Sequence, residues 1–204
     1  QTCALPISTE DLKTFRGIDS YLSGHAEMKH VPGVDMSTGS LGQGISAAVG
    51  IALAGKMDQL DYNVYAILGD GEIQEGQVWE AAMSAGFFHL NKLIVFVDNN
   101  NLQIDGTIEE VMSPYPIDKK FESFNFNVIC IDGHDVAAIA AAIDQAKTST
   151  DKPTAIICKT VKAKGISFME NDVQWHGNTP NEEEFAKGFA ELDARIAQLE
   201  EEVK

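Results

Sequence analysis

Four short apolar runs, each next to a stretch with helical spacing, constrain the fold of this chain most strongly. Residues 63–68 and "KLIVFVD" at 92–98 are typical of strands that are buried on both faces. "FNVICID" at 126–132 and "PTAIICKT" at 153–160 are two further runs of this kind. Such strands need helices against both of their faces, because both of their faces are apolar.

Helical patterns lie before, between and after these strands. We expect helices from about Gly42 through about Lys56, from about Gly76 to Phe88, over "DVAAIAAAIDQAK", and from about Asn181 onwards. Strands that alternate with helices predict a doubly wound, mostly parallel α/β sheet with helices on both faces. In such a sheet, ligands bind beyond the carboxyl ends of the strands.

Length and charge limit the classes of partner. The chain has 204 residues, of which 44% are apolar, and its net charge is −16. This charge repels phosphate backbones and anionic lipid surfaces, so we expect neither nucleic acid nor a membrane as partner. No apolar run approaches the ~20 residues that span a bilayer, and no basic-then-apolar leader begins the chain, so a cytoplasmic protein is expected.

The first seven residues, "QTCALPI", fit nothing that follows them. They are the translation of CAGACGTGTGCTCTTCCGATC, which is sequencing-adapter sequence. We therefore expect Gln1 to Ile7 to be an assembly scar, and we exclude them from fold reasoning. No low-complexity linker interrupts the rest, so residues 8–204 are expected to form a single domain that lacks its natural N-terminal part.

Polar residues follow the first two strands directly. Asp70 lies between Gly69 and Gly71 in "LGDGEIQEG", and Asn100 lies in "DNNN", thirty residues further on. One strand-helix-strand unit separates them, so both loops are expected at one edge of the sheet. Carboxylate, amide and carbonyl oxygens are ligands that Mg²⁺ takes together with phosphate oxygens. The pattern therefore predicts a phosphate that is bridged by a metal ion.

A longer stretch carries a resemblance to a known family. "GDGEIQEGQVWEAAMSAGFFHLNKLIVFVDNNNLQIDG" resembles the thiamine-diphosphate motif in the form that transketolases use, and "GHAEMKHVPGVDMSTGSLGQGISAAVG" resembles their upstream segment. "DGHD", "KTVKAKGISFMEN" and "WHG" continue the match, which covers roughly Thr9 to Glu191. The resemblance implies the diphosphate-binding domain of a thiamine-diphosphate enzyme, in which the cofactor supplies the carbanion chemistry.

The resemblance also implies roles for particular residues. Asp70 and Asn100 resemble the ligands of Mg²⁺, for which Ca²⁺ or Mn²⁺ can substitute, and Leu102 supplies its main-chain carbonyl. Asn100 thereby also belongs to the cofactor site, and the backbone N–H of Gly71 is expected to contact the diphosphate. Three further cofactor contacts are implied: Gly39 and Leu41 near the aminopyrimidine, and Ile104 near the ring system.

Two histidines are expected to act in catalysis. His25 matches a histidine that binds the C1 hydroxyl of the substrate, although Ala26 stands where the family more often has proline. His176, in "WHG", resembles a histidine that reaches both the diphosphate and the transferred sugar fragment.

The acids Glu72 and Glu75, which follow Asp70 in the same loop, are interpreted in different ways. Glu75 matches a carboxylate of the contact between subunits near the cofactor. Glu72 is interpreted as a helix N-terminal acid that the helix dipole favours. The segment "KAKG" departs from the usual "KGKG", which leaves the conformation of that loop open.

The function implied by the resemblance is transfer of a two-carbon ketol unit from a ketose phosphate to an aldose phosphate, as in the pentose phosphate pathway. The pyrimidine-binding domain, with the glutamate that activates the cofactor, does not occur in these residues. We therefore expect the N-terminal subunit of a split transketolase, whose partner is the C-terminal transketolase subunit in a heterotetramer.

Three alternatives remain open. The first is a split ketolase that acts on another sugar phosphate, such as apulose 4-phosphate. The second is the α subunit of a 2-oxoacid dehydrogenase, although "STGSLGQG" and "WHG" favour the transketolase form. The third is a cofactor-binding subunit without catalytic activity.

The C-terminal helix carries an apolar stripe at alternating steps of four and three residues. We expect this stripe to pack against its own domain; the alternative is that it packs against a helix of another chain. Its members are Phe185, Phe189, Leu192, Ile196, Leu199 and Val203.

Overall fold

The structure, a computed structural model, describes residues 7–202. Four parallel strands form its central sheet: β1 (Val64–Gly69), β2 (Leu93–Asn99), β5 (Asn127–Asp132) and β6 (Thr154–Lys159). Their order across the sheet is β1–β2–β6–β5. The first six residues of the suspected scar lie outside the described residues, and so does Val203.

Helices cover both faces of the sheet, which confirms the doubly wound fold. On one face, α1 (Gln43–Met57), α2 (Gly76–Phe87) and α4 (Ile117–Ser123) pack against the strands. On the other face, α5 (Val136–Lys147) covers β2, β6 and β5. Alternate residues of each strand therefore enter two separate cores.

The first strand is buried on one face only, which corrects the expectation from its apolar sequence. Leu68 is buried against the helices, whereas Tyr65 and Ile67 on the opposite face are exposed. The reason is position, because β1 lies at the edge of the sheet and α5 packs against the other three strands.

The connection from β2 to β5 contains four elements that the sequence patterns did not predict. A two-stranded antiparallel hairpin, β3 (Leu102–Gln103) and β4 (Gly106–Thr107), follows the second strand. The short helix α3 (Ile108–Val111) follows, and its N-terminus is capped by the Thr107 hydroxyl, which accepts from the N–H of Glu110. The fourth element is α4. The hairpin places Leu102 and its neighbours beside the end of β1.

The last helix, α6 (Glu182–Glu202), meets the rest of the chain at the 165–168 loop. Gly188 is its buried residue and lies against Ile166 and Phe168, while the Glu191 carboxylate accepts from the N–H and the hydroxyl of Ser167. The expectation that the apolar stripe packs on its own domain is wrong, because the helix turns Gly188 inward instead. The exposed stripe members are Phe185, Phe189, Leu192, Ile196 and Leu199.

None of the helices within residues 7–202 combines the length and the apolar character that a bilayer crossing requires.

Candidate cofactor site

A cleft of about 450 Å³ lies at the carboxyl ends of β1 and β2. Eight of the ten site residues that the sequence predicted line this cleft, and their roles remain predictions. They are brought together because the loops after both strands, the β3–β4 hairpin and the 160s loop meet at one edge of the sheet. The eight are Leu41, Asp70, Gly71, Glu75, Asn100, Leu102, Ile104 and His176.

Asp70 is the charged residue at the floor of this cleft, and its residue surface is 1% exposed. Its Oδ2 accepts from the backbone N–H of Asn101 at 2.6 Å and from Nδ2 of Asn99 at 3.0 Å. Burial raises the pKa of Asp70 and the nearby Asp98 charge adds to this, while the hydrogen bonds act against it. Within residues 7–202 no lysine or arginine pairs with Asp70, so its charge lacks a cationic partner from the chain.

Asn100 is held in a tight turn beside Asp70. Its side-chain Oδ1 accepts from the N–H of Leu102 at 3.0 Å, and its Nδ2 donates to Asp98 at 3.3 Å. An amide oxygen has a second lone pair, so Oδ1 can still accept a cation. The described residues contain no cluster of three His, Cys, Asp or Glu side chains suited to a metal. A cation here would therefore need the amide and carbonyl oxygens that the sequence predicted.

Gly71 lies where the backbone of the loop approaches the hairpin closely. A Cβ at this position would lie 3.2 Å from Cβ of Gln103, which is tighter than ordinary contact. Ile104, on the same hairpin, is exposed and lines the cleft. The loop can thus present backbone N–H groups to a ligand without a side chain in between.

The charges of the cleft are mostly negative. Five acids line it, namely Asp70, Glu72, Glu75, Asp98 and Asp105, against one lysine, Lys162. Like charges ~4 Å apart cost about 4 kcal/mol even at an effective dielectric near 20. A diphosphate therefore fits this lining only together with a divalent cation.

Lys162 is a residue that sequence reasoning missed, and it stands beside His176 in the cleft. Burial lowers the pKa of His176, and the positive charge of Lys162 lowers it further. Both effects favour the neutral imidazole, which can accept a hydrogen bond. The signal available in the sequence was the motif "KTVKAKG", in which Lys162 lies three residues after the last residue of β6.

Gly39 and His25 lie next to the cleft rather than in it. Gly39 lines an adjoining cavity, and this cavity shares Leu41 and Glu72 with the cleft. Gly39 has φ +116, and a Cβ there would lie 2.5 Å from the ring of His25. Only glycine leaves room for the imidazole of His25 this close to the backbone, so the two residues are positioned together.

Glu72 does more than cap a helix, which corrects the interpretation from sequence. Its carboxylate accepts from the N–H of Gly42 at 3.0 Å and from the N–H of Gly69 at 3.1 Å. Glu75 lines the cleft immediately before α2.

Asn99 and Tyr115 form a second missed part of the site. Nδ2 of Asn99 donates both to Asp70 and to the hydroxyl oxygen of Tyr115, the latter at 2.7 Å. The run of three asparagines signalled a polar strand end, but only the fold shows which one orients Asp70. Tyr115 follows α3, an element that the sequence patterns did not predict.

The loop "KAKG" has a left-handed residue where the family more often has glycine. Ala163 has φ +57, and Gly165 has φ +105. The alanine therefore keeps the backbone conformation that a glycine would adopt freely, at a cost in strain.

Fold and cleft together define a class: a doubly wound α/β protein with an acidic cleft at the carboxyl edge of its sheet, where ligands bind in such folds. A family model described as "Transketolase, thiamine diphosphate binding domain" matches residues 3–194. The chain therefore belongs to the transketolase family.

Two similar proteins are subunits by name. The chain is 45% identical, over 184 residues, to the 6-deoxy-6-sulfo-D-fructose transketolase subunit SqwG of Clostridium sp. strain MSTE9, covering 90% of the chain and 67% of that subunit. It is 39% identical, over 196 residues, to a subunit of the apulose-4-phosphate transketolase of Phocaeicola vulgatus, covering 96% of the chain and 69% of that protein.

A solved structure agrees with this membership. The crystal structure of transketolase from Campylobacter jejuni superposes with a TM-score of 0.84 at 39% identity, covering 90% of this chain and 30% of that chain. The described sheet, its helices and the cleft thus correspond to about a third of a full-length transketolase.

Proposed function

We propose that the cleft binds thiamine diphosphate together with Mg²⁺ and that the chain is the cofactor-binding subunit of a ketol-transferring enzyme. The observation that carries this proposal is Asp70, a carboxylate that is buried at a strand end without a cationic partner among the described residues. A divalent cation bound to Asp70 would offset the cost of burying its charge. The same cation would neutralise a diphosphate that the acidic lining otherwise repels.

Different residues of the cleft would bind different parts of the cofactor. Asp70, the amide oxygen of Asn100 and the carbonyl of Leu102 would hold the cation, for which Ca²⁺ or Mn²⁺ could substitute. The N–H of Gly71 would donate to the diphosphate, whereas Gly39, Leu41 and Ile104 would contact the ring systems. When it is bound, thiamine diphosphate supplies a carbanion that no side chain of the protein can form.

Two histidines would face the substrate. The lowered pKa of His176 favours its neutral form, which would accept a proton from a sugar hydroxyl or donate its own N–H to a phosphate oxygen. His25 would bind the C1 hydroxyl of the donor, and its ring lies close against the backbone of Gly39. Lys162 adds the positive charge that an anionic substrate or cofactor requires.

The substrates that we propose are a ketose phosphate, or a ketose with another anionic group such as a sulfonate, as two-carbon donor and an aldose phosphate as acceptor. Pentose phosphates are one choice, and the names of similar proteins add two more: 6-deoxy-6-sulfo-D-fructose and apulose 4-phosphate. All three donors are ketoses with an anionic group far from the reacting carbon. Recognition of that anionic group by the partner subunit would decide among them.

The partner that we propose is a C-terminal transketolase subunit with the pyrimidine-binding domain, in a heterotetramer with two copies of each chain. The names of the two similar subunits support a division of this kind. Glu75, at the mouth of the cleft before α2, is the residue that we expect to contact that partner.

The test is co-expression of this chain with a C-terminal transketolase subunit, followed by mass measurement and activity assays. The complex should transfer a ketol unit from at least one of three donors: xylulose 5-phosphate, 6-deoxy-6-sulfo-D-fructose or apulose 4-phosphate. His176→Ala should abolish transfer, whereas His89→Ala, at an exposed site outside the cleft, should not. A complex that binds the cofactor but transfers nothing from any of these donors would refute the proposed reaction.

A further inference from the structure

Glu72 joins two backbone segments that are about thirty residues apart in sequence. One carboxylate oxygen, Oε1, accepts from the N–H of Gly42 at 3.0 Å, and the other, Oε2, accepts from the N–H of Gly69 at 3.1 Å. Both are hydrogen bonds to an ionised acceptor, which are stronger than those between neutral groups. The side chain lines both the cleft and the adjoining cavity, so it forms part of the wall between them.

The two segments carry the residues proposed for opposite ends of the cofactor. The 39–42 loop contains Gly39 and Leu41, at the proposed aminopyrimidine end. The GDG loop, residues 69–71, contains Asp70 and Gly71, at the proposed diphosphate end. The relative position of these loops therefore sets the length of the site, and Glu72 is the side chain that connects them.

The 39–42 loop has few other means of keeping its place. Gly42 has φ +80 and directly precedes α1, whose N-terminus has no side-chain cap. A Cβ at Gly42 would lie 2.9 Å from Cβ of Glu75, so the loop packs closely against the residue before α2. An anionic acceptor is also favourable at this end of α1, because the helix dipole is positive there.

We propose that Glu72 is a positioning residue that fixes the 39–42 loop against the GDG loop and so keeps the two halves of the cofactor site in register. The proposal rests on the proposed function for the identity of the ligand. Both carboxylate oxygens are engaged by the backbone, so Glu72 acts through the loops and not as a ligand of the metal.

We call the two hydrogen bonds from the N–H groups of Gly42 and Gly69 to the Glu72 carboxylate the clasp. Glutamine at position 72 tests the clasp with almost no change in side-chain size. Its amide has one acceptor oxygen and one NH₂ donor, so the N–H of either Gly42 or Gly69 would face a donor. Loss of one such bond predicts about tenfold weaker binding of thiamine diphosphate in Glu72→Gln. Glu72→Asp, which is too short to reach both N–H groups, should weaken binding in the same direction and serves as the test if the glutamine variant does not fold.

Glu191 offers a matched control. Its carboxylate also accepts two hydrogen bonds, from the N–H and the hydroxyl of Ser167, but it does not line the cleft. Glu191→Gln should therefore leave the cofactor affinity unchanged, even if it lowers stability by a similar amount.

Two measurements separate a positioning role from a general loss of stability. The first is amide exchange by NMR on the cofactor-free chain, where Glu72→Gln should accelerate exchange at Gly42 or Gly69 about tenfold and leave amides of β6 unchanged. The second is calorimetric titration of the complex with thiamine diphosphate and Mg²⁺. In activity assays of the complex, Glu72→Gln should raise the apparent KM for thiamine diphosphate by a larger factor than it lowers kcat, because Glu72 acts through the loops and does not touch reacting atoms.

The outcomes distinguish this inference from the function on which it rests. If wild-type complex binds no thiamine diphosphate, the proposed function fails, and the exchange experiment still decides whether the clasp exists. If wild type binds but Glu72→Gln binds equally well, or if Glu191→Gln is weakened as much, the positioning role is refuted. Unchanged exchange at both glycines would refute the clasp itself.

Discussion

At the scale of single residues, the site depends on charges whose partners lie in other segments of the chain. Asp70 is oriented by Asn99 and Asn101 from the second strand end, and His176 is influenced by Lys162 from the loop after β6. Each of these pairs joins residues that are far apart in sequence. Substitutions at the second member of a pair should therefore change a measurable property of the first.

The pKa of His176 provides such a property. Its folded-state pKa lies below its unfolded value, first because of burial and then because of Lys162. Lys162→Met should raise the His176 pKa towards its ordinary value without reaching it, since the burial remains. Titration of the imidazole by NMR in the cofactor-free chain measures this, and Lys164→Met, in the same loop, should leave the midpoint unchanged.

The sign of the pH effect follows from the same shift. Because the folded pKa of His176 is depressed, this residue contributes stability above its unfolded pKa, and the contribution is lost as pH falls through the folded pKa. Lys162→Met should lose less stability on acidification across that window than the wild type. A midpoint for His176 that Lys162→Met fails to move would contradict the assigned cause.

Ala163 is strained by its left-handed backbone, and the strain can be measured. The left-handed conformation costs an alanine ~1–2 kcal/mol, and glycine would remove this cost. Glycine also makes the unfolded chain more flexible, which lowers the stability of the folded protein by ~0.4–1 kcal/mol. Ala163→Gly should therefore stabilise the protein by about 0.5 kcal/mol in urea unfolding. Ala190→Gly, at an exposed position within α6, should do the opposite and cost about 1 kcal/mol.

At the scale of elements, the sequence predicted those parts whose periodicity is long. β2 and β6 were placed by runs of apolar residues, and α1, α2 and α5 by helical spacing that continues for three turns or more. The stretch 108–123 was missed because Pro114 and Pro116 interrupt it and each helix there is too short for its period to be visible. The burial of β1 was overestimated because an apolar run does not reveal which strand lies at an edge.

The apolar periodicity of the sequence also could not show which face of α6 packs against the rest of the chain. The apolar stripe predicted the wrong face, since the actual contact is made by Gly188 against Ile166 and Phe168. A glycine does not contribute to a hydrophobic pattern, so the pattern could not show that this face of α6 meets the 165–168 loop. The same limitation applies to the clasp of Glu72, whose partners are backbone N–H groups.

Two helical glycines should respond to alanine with opposite signs. At Gly188 in α6 the nearest atom to an added Cβ is 3.6 Å away, an ordinary contact, so Gly188→Ala should stabilise by ~0.5–1 kcal/mol through helix propensity. At Gly86 in α2 the added Cβ would lie 1.9 Å from the carbonyl oxygen of Phe124. Gly86→Ala should therefore destabilise by ~1–3 kcal/mol or more, and thermal unfolding of both variants tests the pair. A stable Gly86→Ala protein would contradict the packing of α2 against α4.

At the scale of the whole molecule, the negative charge determines what the chain can bind. The net charge is −16, and the cleft repeats this bias with five acids and one lysine. An anionic cofactor can bind such a surface only where a cation changes the local sign. The metal is thus expected to be a condition for cofactor binding.

We expect the buried carboxylate of Asp70 to bind a divalent cation that also binds the diphosphate of the cofactor. The most direct test is a calorimetric titration of the complex with thiamine diphosphate, in Mg²⁺ and in chelator. We expect at least about tenfold weaker binding in chelator and in Asp70→Ala, and a smaller loss in Asn100→Ala because a neutral amide gives the metal less charge. The control Asp193→Ala, at an exposed position of α6 outside the cleft, should leave the affinity unchanged. Equal affinity in Mg²⁺ and in chelator, or wild-type affinity in Asp70→Ala, would contradict the claim.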